Sequence, residues 1–495
     1  MKNYGAIIEQ LDAEIRSGRP QTVAHQISKI NLSRVPRHWR LPLAKICRRA
    51  GLYSQGLQLL TRVVHCFKRG LAFAARPPEL AEYAALLLRS GSVNEALDYL
   101  INIDTKQAPD ALLYRSYCHF VRWEFNEAIP FLEAYLASDL SSYAKLVGES
   151  NLAYAYVETR QYVAAIALLE SIAQIAGENG FLNLECTCRV YRAQVYFYKS
   201  EFELARNEIE LAQRHSGSQT NDQMLARKWK LILDGVETKS VVPFNELREL
   251  AIRNHDWATW READLFSLNV EFDQQRFLHL YFGTPYTRFR ERMVEELGVS
   301  PRQSNYILGT HNAPCFDVLT AEIDARAGLK PGRLCHRMIE VLLSDLYQPM
   351  RIGALFSALF PGEIFFVSSS PDRVHQLIFR TRKWLDDNQI PVTIIETDGF
   401  YSLSIVGQFS FRIPMNCEPC DPMLIYFEKL KAALGPSCSF TAKTAREALG
   451  LSKTTVFRLM QWAISIGKVE RLGHSSSDAV YQFTEVIAAP RKMSA

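Results

Sequence analysis

Two stretches of this chain gather side chains able to grip phosphate and the edges of nucleobases. In SKTTVFRLMQWAISIG, residues 452–467, apolar Val456, Leu459, Met460 and Ala463 recur at helical spacing and define an inward stripe. Ser452 stands at the N-cap position, and Lys453, Thr454, Thr455 and Arg458 project from the first turns. Cationic and hydroxyl groups so placed are what a helix offers to phosphates and base edges in a duplex groove. In SPDRVHQLIFRTRKWL, residues 370–385, Ser370 is placed to cap a helix beginning at Pro371. Val374, Leu377, Ile378, Thr381 and Leu385 form its inward stripe, leaving Arg373, Gln376, Arg380 and Lys383 outside.

Other chemistry is sparse. The chain has no GxxxxGK(S/T) phosphate loop, no GxGxxG turn in a βαβ setting, no HExxH helix and no GxSxG elbow. Neither enzymatic activity nor a cofactor is expected. Cys417 and Cys420 make one CxxC in NCEPCDP, and a zinc site needs four ligands; Cys438 is the nearest further candidate, with His336 and His474 unplaced. No metal is therefore expected. Cys186 and Cys188 point to different faces of one helix and read as packing.

The elements around both basic stretches are alike. VTIIETDGFYSLSI, residues 392–405, alternates over two short strands joined through Thr397 to Gly399, and KVERLGHSSSDAVYQF, residues 468–483, reads as strand, polar turn and strand. Ahead of the second basic helix lie an amphipathic helix in LIYFEKLKAALG and another in FTAKTAREALG, entered through Thr441 and left through Gly450. LCHRMIEVLLSDLYQ and MRIGALFSALFPG precede the first.

IFRTRKWL followed by IIETDGFYSLSI resembles the effector domain of OmpR/PhoB-type response regulators, over about 75 residues. The resemblance implies a winged helix whose basic helix enters the major groove, with Arg373, Gln376 and Arg380 toward bases and Arg382 and Lys383 nearer phosphates. A Thr-Asp-Gly turn stands where that family has a more basic wing. SKTTVFRLMQWAISIGKVERLG resembles winged helices of bacterial repressors with an SxxTVxRxLxxLxxxGxV-like pattern, over about 60 residues, with Trp462 in place of the usual small residue or Leu. Winged helices also serve as protein docking modules.

The first half repeats itself. In NLAYAYVETRQYVAAIALLESI, Leu152, Ala153 and Tyr156 share one helix face, Arg160 to Tyr162 make a turn, and Ala165 and Leu169 share the face of a second helix. Ala193, Tyr196, Phe202, Ala205, Ile209 and Ala212 repeat the layout, as do Phe125, Ala128 and Leu132, then Ala84, Leu87, Ala96 and Leu100, then Ala44, Gly51, Gly56 and Leu60. The copies recur roughly every 32 to 40 residues and resemble tetratricopeptide repeats. Such arrays offer a groove to a protein or peptide. Tyr114, Tyr117, Tyr154, Tyr191 and Tyr198 read as packing between repeats rather than as groove lining.

The expected class is mostly α: an N-terminal tetratricopeptide-like α-solenoid followed by two α+β winged-helix domains. The expected limits are 1–272 for the repeats, 273–331 for a connector, 332–413 for the first winged helix and 421–486 for the second. In the connector, Arg288, Arg290 and Arg292 lie among Glu291, Glu295 and Glu296 and read as a solvated helix face.

A chain of 495 residues is long for one core, and its net charge of +4 does not by itself call for a nucleic-acid partner. Ten scattered cysteines, no apolar run of spanning length and no secretion layout at the start predict a cytoplasmic protein without a membrane partner. Together these features predict a bacterial, non-enzymatic transcription regulator that binds double-stranded DNA and takes a protein or peptide in its repeat groove. The alternative is an interaction scaffold whose winged helices dock proteins. The oligomeric state is not legible in the sequence.

Overall fold

The computed structural model describes residues 4–16, 19–65, 75–215, 220–324, 328–415, 422–435, 439–451, 453–465, 467–472 and 479–484. The chain groups into two compact units. One comprises Met1–Ser304, Leu342–Lys383 and Thr393–Ser404; the other comprises Asn305–Val341, Trp384–Val392 and Ile405–Ala495.

Helical hairpins build most of the first unit. Arg37–Arg49 pairs with Tyr53–Val64, Pro77–Arg89 with Val93–Ile101, and Asp110–Val121 with Phe125–Leu136. Ser142–Glu158 then pairs with Tyr162–Glu178, Leu182–Tyr198 with Phe202–His215, and Thr220–Thr238 with Val242–Arg253. The alanines that carry the repeat in the sequence are interior: Ala84, Ala96, Ala128, Ala153, Ala165, Ala205 and Ala212 are all inaccessible to solvent, while Tyr156, Tyr196 and Phe202 are half-buried and Gly51 is exposed. Small side chains at these crossings let helix axes approach. At Gly235 the approach is so close that a Cβ would stand 2.5 Å from Cζ of Phe244. Tyr114 is buried, and Tyr154 stacks on Tyr191 with ring centroids 4.9 Å apart, so these tyrosines join neighbouring hairpins.

The hairpins share one turn. Gly51, Gly91, Trp123, Arg160, Ser200 and Lys239 each adopt a left-handed backbone just past the first helix. In every case the next residue donates its N–H back across the turn, as Leu52 does to Cys47 O at 2.8 Å and Gln161 to Tyr156 O at 2.8 Å. A second bond closes inside it, for example Arg160 N–H to Val157 O at 3.1 Å. This is the Schellman closure, which satisfies carbonyls the helix end leaves unpaired. The same geometry is thus reached with Gly, Trp, Arg, Ser and Lys at the strained position.

Helices continue beyond the paired hairpins through Trp257–Val270, Gln274–Phe282 and Thr287–Leu297. The last of these is drawn into the array. Phe289 is fully buried, its ring 4.7 Å from that of Trp123. Arg292 donates to Glu158 at 3.0 Å and to the Tyr198 hydroxyl at 2.8 Å, and Arg288 to Glu127 at 2.7 Å. Segments of three successive hairpins therefore hold one helix of the same chain, in a region whose sequence reads as connector.

Two short three-stranded sheets follow one plan. In the first, the order of elements is helix Leu334–Leu343, strand Met350–Arg351, helix Ile352–Leu359, helix Ser370–Asp387, then strands Val392–Thr397 and Phe400–Ile405. In the second it is helix Pro422–Leu434, strand Ser439–Thr441, helix Ala442–Leu449, helix Lys453–Ser465, then strands Val469–Leu472 and Val480–Phe483. Both sheets place the last strand between the other two. The second plan closes on its own core of Phe427, Leu430, Phe440, Ala445, Val456, Leu459, Met460, Ala463, Val469, Tyr481 and Phe483.

A third sheet joins Asn305–Gly309, antiparallel, and Cys315–Asp317, parallel, to the central strand Ser410–Pro414. Phe316 and Phe411 are buried there with ring centroids 5.9 Å apart.

Candidate nucleic-acid interface

The first basic helix, Ser370–Asp387, is oriented by its apolar stripe. Val374, Leu377, Ile378, Thr381 and Leu385 are all buried, and at about 100° per residue the opposite side must face out. Arg373, Gln376, Arg380 and Lys383 are exposed. Gln376, Arg380 and Lys383 have no side-chain hydrogen bond or ion pair among the described residues. Arg373 is engaged: it pairs with Glu363 through both terminal nitrogens, one at 3.1 Å, and lies 4.1 Å from the ring centre of Phe360. That bond holds the Glu363 carboxyl below its ordinary pKa and raises that of Arg373.

Arg382 is turned differently. It is half-buried and donates from Nε to the Ile394 carbonyl at 3.0 Å, tying the helix to the strand that follows. Ser370 lies within the helix rather than ahead of it, and its hydroxyl accepts from the Phe366 N–H at 2.9 Å, so it does not cap as its sequence position suggests.

The turn between the two strands of this module has Asp398 and Gly399 both at positive φ, the combination a two-residue hairpin requires. Asp398 stands 3.8 Å from His255, and Phe400 packs on His255 and Trp257 with centroids 4.8 and 5.4 Å away. Arg351 covers the Phe400 ring at 4.2 Å. This hairpin is docked on the helical array.

The second basic helix, Lys453–Ser465, buries Val456, Leu459, Met460 and Ala463 and exposes Lys453, Phe457, Arg458 and Gln461. Thr455 is half-buried. Ser452 lies outside the described residues, as does the side chain of Thr454. The preceding helix enters through Thr441, whose hydroxyl accepts from Thr444 N–H at 3.2 Å, and ends at Gly450 with φ +63°. Gly450 thus supplies the left-handed turn that lets the next helix start at once. Lys443 and Arg446 are exposed on that preceding helix and add charge beside Lys453 and Arg458 in the chain. Their i, i+3 spacing in AKTAREAL was the available signal for them.

Among the described residues no group of three or more His, Cys, Asp or Glu could hold a metal ion. Cys417, Cys420 and Cys438 lie outside the described residues. No described helix is long and apolar enough to cross a membrane.

No family model matches the chain, and no curated protein matches it. Solved structures similar to it include nearly identical TPR-like repeats of a Podosopora anserina chain described as a kinesin light chain, 20% identical, covering 37% of this chain and 97% of that one at a TM-score of 0.30. A tetratricopeptide repeat protein from Parabacteroides merdae is 13% identical, covering 60% of this chain and 98% of that one at a TM-score of 0.30. The C-terminal part of a TPR repeat-containing protein from Cytophaga hutchinsonii is 12% identical, covering 54% and 97% at 0.28.

Proposed function

We propose that the chain is a non-enzymatic, cytoplasmic transcription regulator. In this reading residues 1–272 form a tetratricopeptide-like array that binds a protein or peptide, 273–331 connect, and 332–413 and 421–486 are winged helices that bind duplex DNA. One observation carries it. Gln376, Arg380 and Lys383 on one helix, and Lys453 and Arg458 on another, face outward from two modules built in the same order of elements with the same strand order. Backbone contact by such cations releases counterions, so affinity should fall with salt by a log-log slope of about 0.9 per phosphate neutralised. On the repeat side, Thr287–Leu297 already covers the surface around Trp123, Glu158 and Tyr198, so a partner would meet the faces that helix leaves open.

Fluorescence anisotropy of the full chain on mixed-sequence duplex, across a salt series, tests the DNA reading. The wild type should bind with a steep slope. Lys453→Ala with Arg458→Ala should weaken binding and, through the loss of the Lys453 charge, flatten the slope by about 1. Binding unchanged in that double variant would refute the assignment of the second helix.

A second reading, a scaffold whose winged helices dock proteins, is favoured by Phe379 and Phe457, which are 68% and 58% exposed on the same two basic helices. Absence of salt-sensitive duplex binding by the wild type would move the assignment there.

A further inference from the structure

The two basic helices can be aligned without reference to any other protein. VHQLI, residues 374–378, and VFRLM, residues 456–460, carry the same buried positions: Val374, Leu377, Ile378 and Thr381 in one, Val456, Leu459, Met460 and Ala463 in the other. Their burial fixes the rotation of each helix against its own module. Gln376 and Arg458 then fall on the same point of the surface, two residues past the buried valine and about 200° around the axis from it. Both are exposed, and neither makes a side-chain hydrogen bond or ion pair among the described residues.

Their hydrogen-bonding capacities differ. Gln offers an acceptor and two donors from one amide, a pattern that matches N6 and N7 of adenine. Arg offers only donors in a planar fork, which matches O6 and N7 of guanine. The neighbouring outward positions do not repeat this contrast: Arg380 corresponds to half-buried Trp462, and Phe379 to Gln461.

We infer that residues 376 and 458 set the base preference of the two modules, the first selecting adenine through Gln376 and the second guanine through Arg458. This rests on the DNA-binding reading above and adds to it the sequence class each module prefers. It makes the chain a reader of a composite site, with one A·T-specified and one G·C-specified element, rather than of two identical ones.

Selection of the full chain on a randomised duplex library, followed by sequencing, tests this with the wild type, Gln376→Arg and Arg458→Gln. The wild type should enrich one adenine-specified and one guanine-specified position. Arg458→Gln should convert the guanine position to adenine, and Gln376→Arg the adenine position to guanine, each by about 5- to 150-fold. Both substitutions are on exposed faces and leave the buried stripes intact. Salt-sensitive binding that persists with base preferences unmoved in both variants overturns the inference while leaving DNA binding in place. No salt-sensitive binding by the wild type to any duplex overturns both.

Discussion

Arg261 offers the sharpest test of how the helical array holds the segment leading into the first basic module. It is 1% exposed in helix Trp257–Val270. One terminal nitrogen donates to both oxygens of Asp345, at 2.6 and 2.7 Å, and Nε donates to the Thr284 hydroxyl at 3.1 Å. Tyr286, Tyr347 and Phe289 surround the guanidinium with ring centres 5.0, 5.4 and 5.9 Å away. Burial works against the charge, and the Asp345 carboxylate more than restores it, leaving the Arg261 pKa raised.

At an effective dielectric near 20, two unit charges this close attract by about 6 kcal/mol, a gain set against several kcal/mol of desolvation for each ion. The pair as a whole therefore contributes little net stability, whereas breaking it strands a buried charge. Arg261→Met should destabilise the first unit by about 3–5 kcal/mol. Asp345→Asn keeps an oxygen for the Tyr347 N–H, which the carboxylate accepts at 3.0 Å, but leaves the guanidinium unpaired and should cost a similar amount. The double variant removes both charges and should be less destabilised than the singles summed, by about 2–3 kcal/mol. Urea titration followed by tryptophan fluorescence suits the measurement, because Trp260 lies 5.0 Å from Tyr347 at the site. With slopes of about 1–3 kcal/mol per molar urea, each single variant shifts the midpoint down by about 1–5 M. Strict additivity in the cycle would show that the two side chains act independently and would refute the reasoning.

Further tests address pH and the shared turn. Burial raises the Glu340 carboxyl from 4.5 to about 7. The folded state therefore holds this proton more tightly than the unfolded chain. Its contribution to stability is fully present below about pH 4.5 and is lost as pH rises through 7, some 3 kcal/mol in all. Glu340→Gln should flatten that part of a pH series of thermal melts between pH 5 and 8, and an unaltered profile would exclude this carboxyl as the cause. At the hairpin turns, exposed Ser200 holds φ +61°. Ser200→Gly should relieve about 1–2 kcal/mol of left-handed strain and give back part of it as unfolded-chain entropy, for a net gain of about 0.5–1 kcal/mol in thermal unfolding. Gly180→Ala, at φ +69° with nothing within 4 Å of the added Cβ, should move stability the other way by a similar amount, and gains in both variants would discount turn strain.

The repeats were legible because close helix crossings demand small residues at fixed spacing, and the alanines among them proved interior, whereas Gly51 stands exposed in a turn. The turns were not. Gly51 and Gly91 advertise a left-handed position, but Trp123, Arg160, Ser200 and Lys239 reach it only because the packed helices and two reverse hydrogen bonds impose it. The third sheet was hidden for another reason. NYILG and CFD are too short to show alternation, and the strand they flank, SFRIP, lies about a hundred residues further on. Non-local pairing leaves no local period to read. Within the first basic helix, periodicity separated Val374 from Gln376 correctly. Arg382 falls about 80° from Val374 around the helix, at the edge of the core, and there a long side chain reaches the Ile394 carbonyl instead of solvent.

The arginines show most clearly where sequence reading ends. Arg288 and Arg292 sit on an amphipathic helix among glutamates, and Arg380 and Arg458 sit on amphipathic helices too, so composition and period treat them alike. What separates them is a carboxylate contributed from elsewhere in the fold. Arg292 finds Glu158, whose side chain is 2% exposed, and Arg288 finds Glu127. A cation paired in this way must give up a charge-assisted bond before it can meet a phosphate, and for Arg292 it would strand a buried acid. Arg373 is an intermediate case: its partner Glu363 is about half exposed, so solvent already weakens the pair and exchange for a phosphate costs little. Free cations, lightly held cations and structural cations thus follow from the burial of the acid each one meets. That ordering places Arg380, Lys383 and Lys453 ahead of Arg373 and Arg288, whose partner Glu127 is 37% exposed, as contributors to the salt dependence of any duplex binding, and leaves Arg292 to the fold.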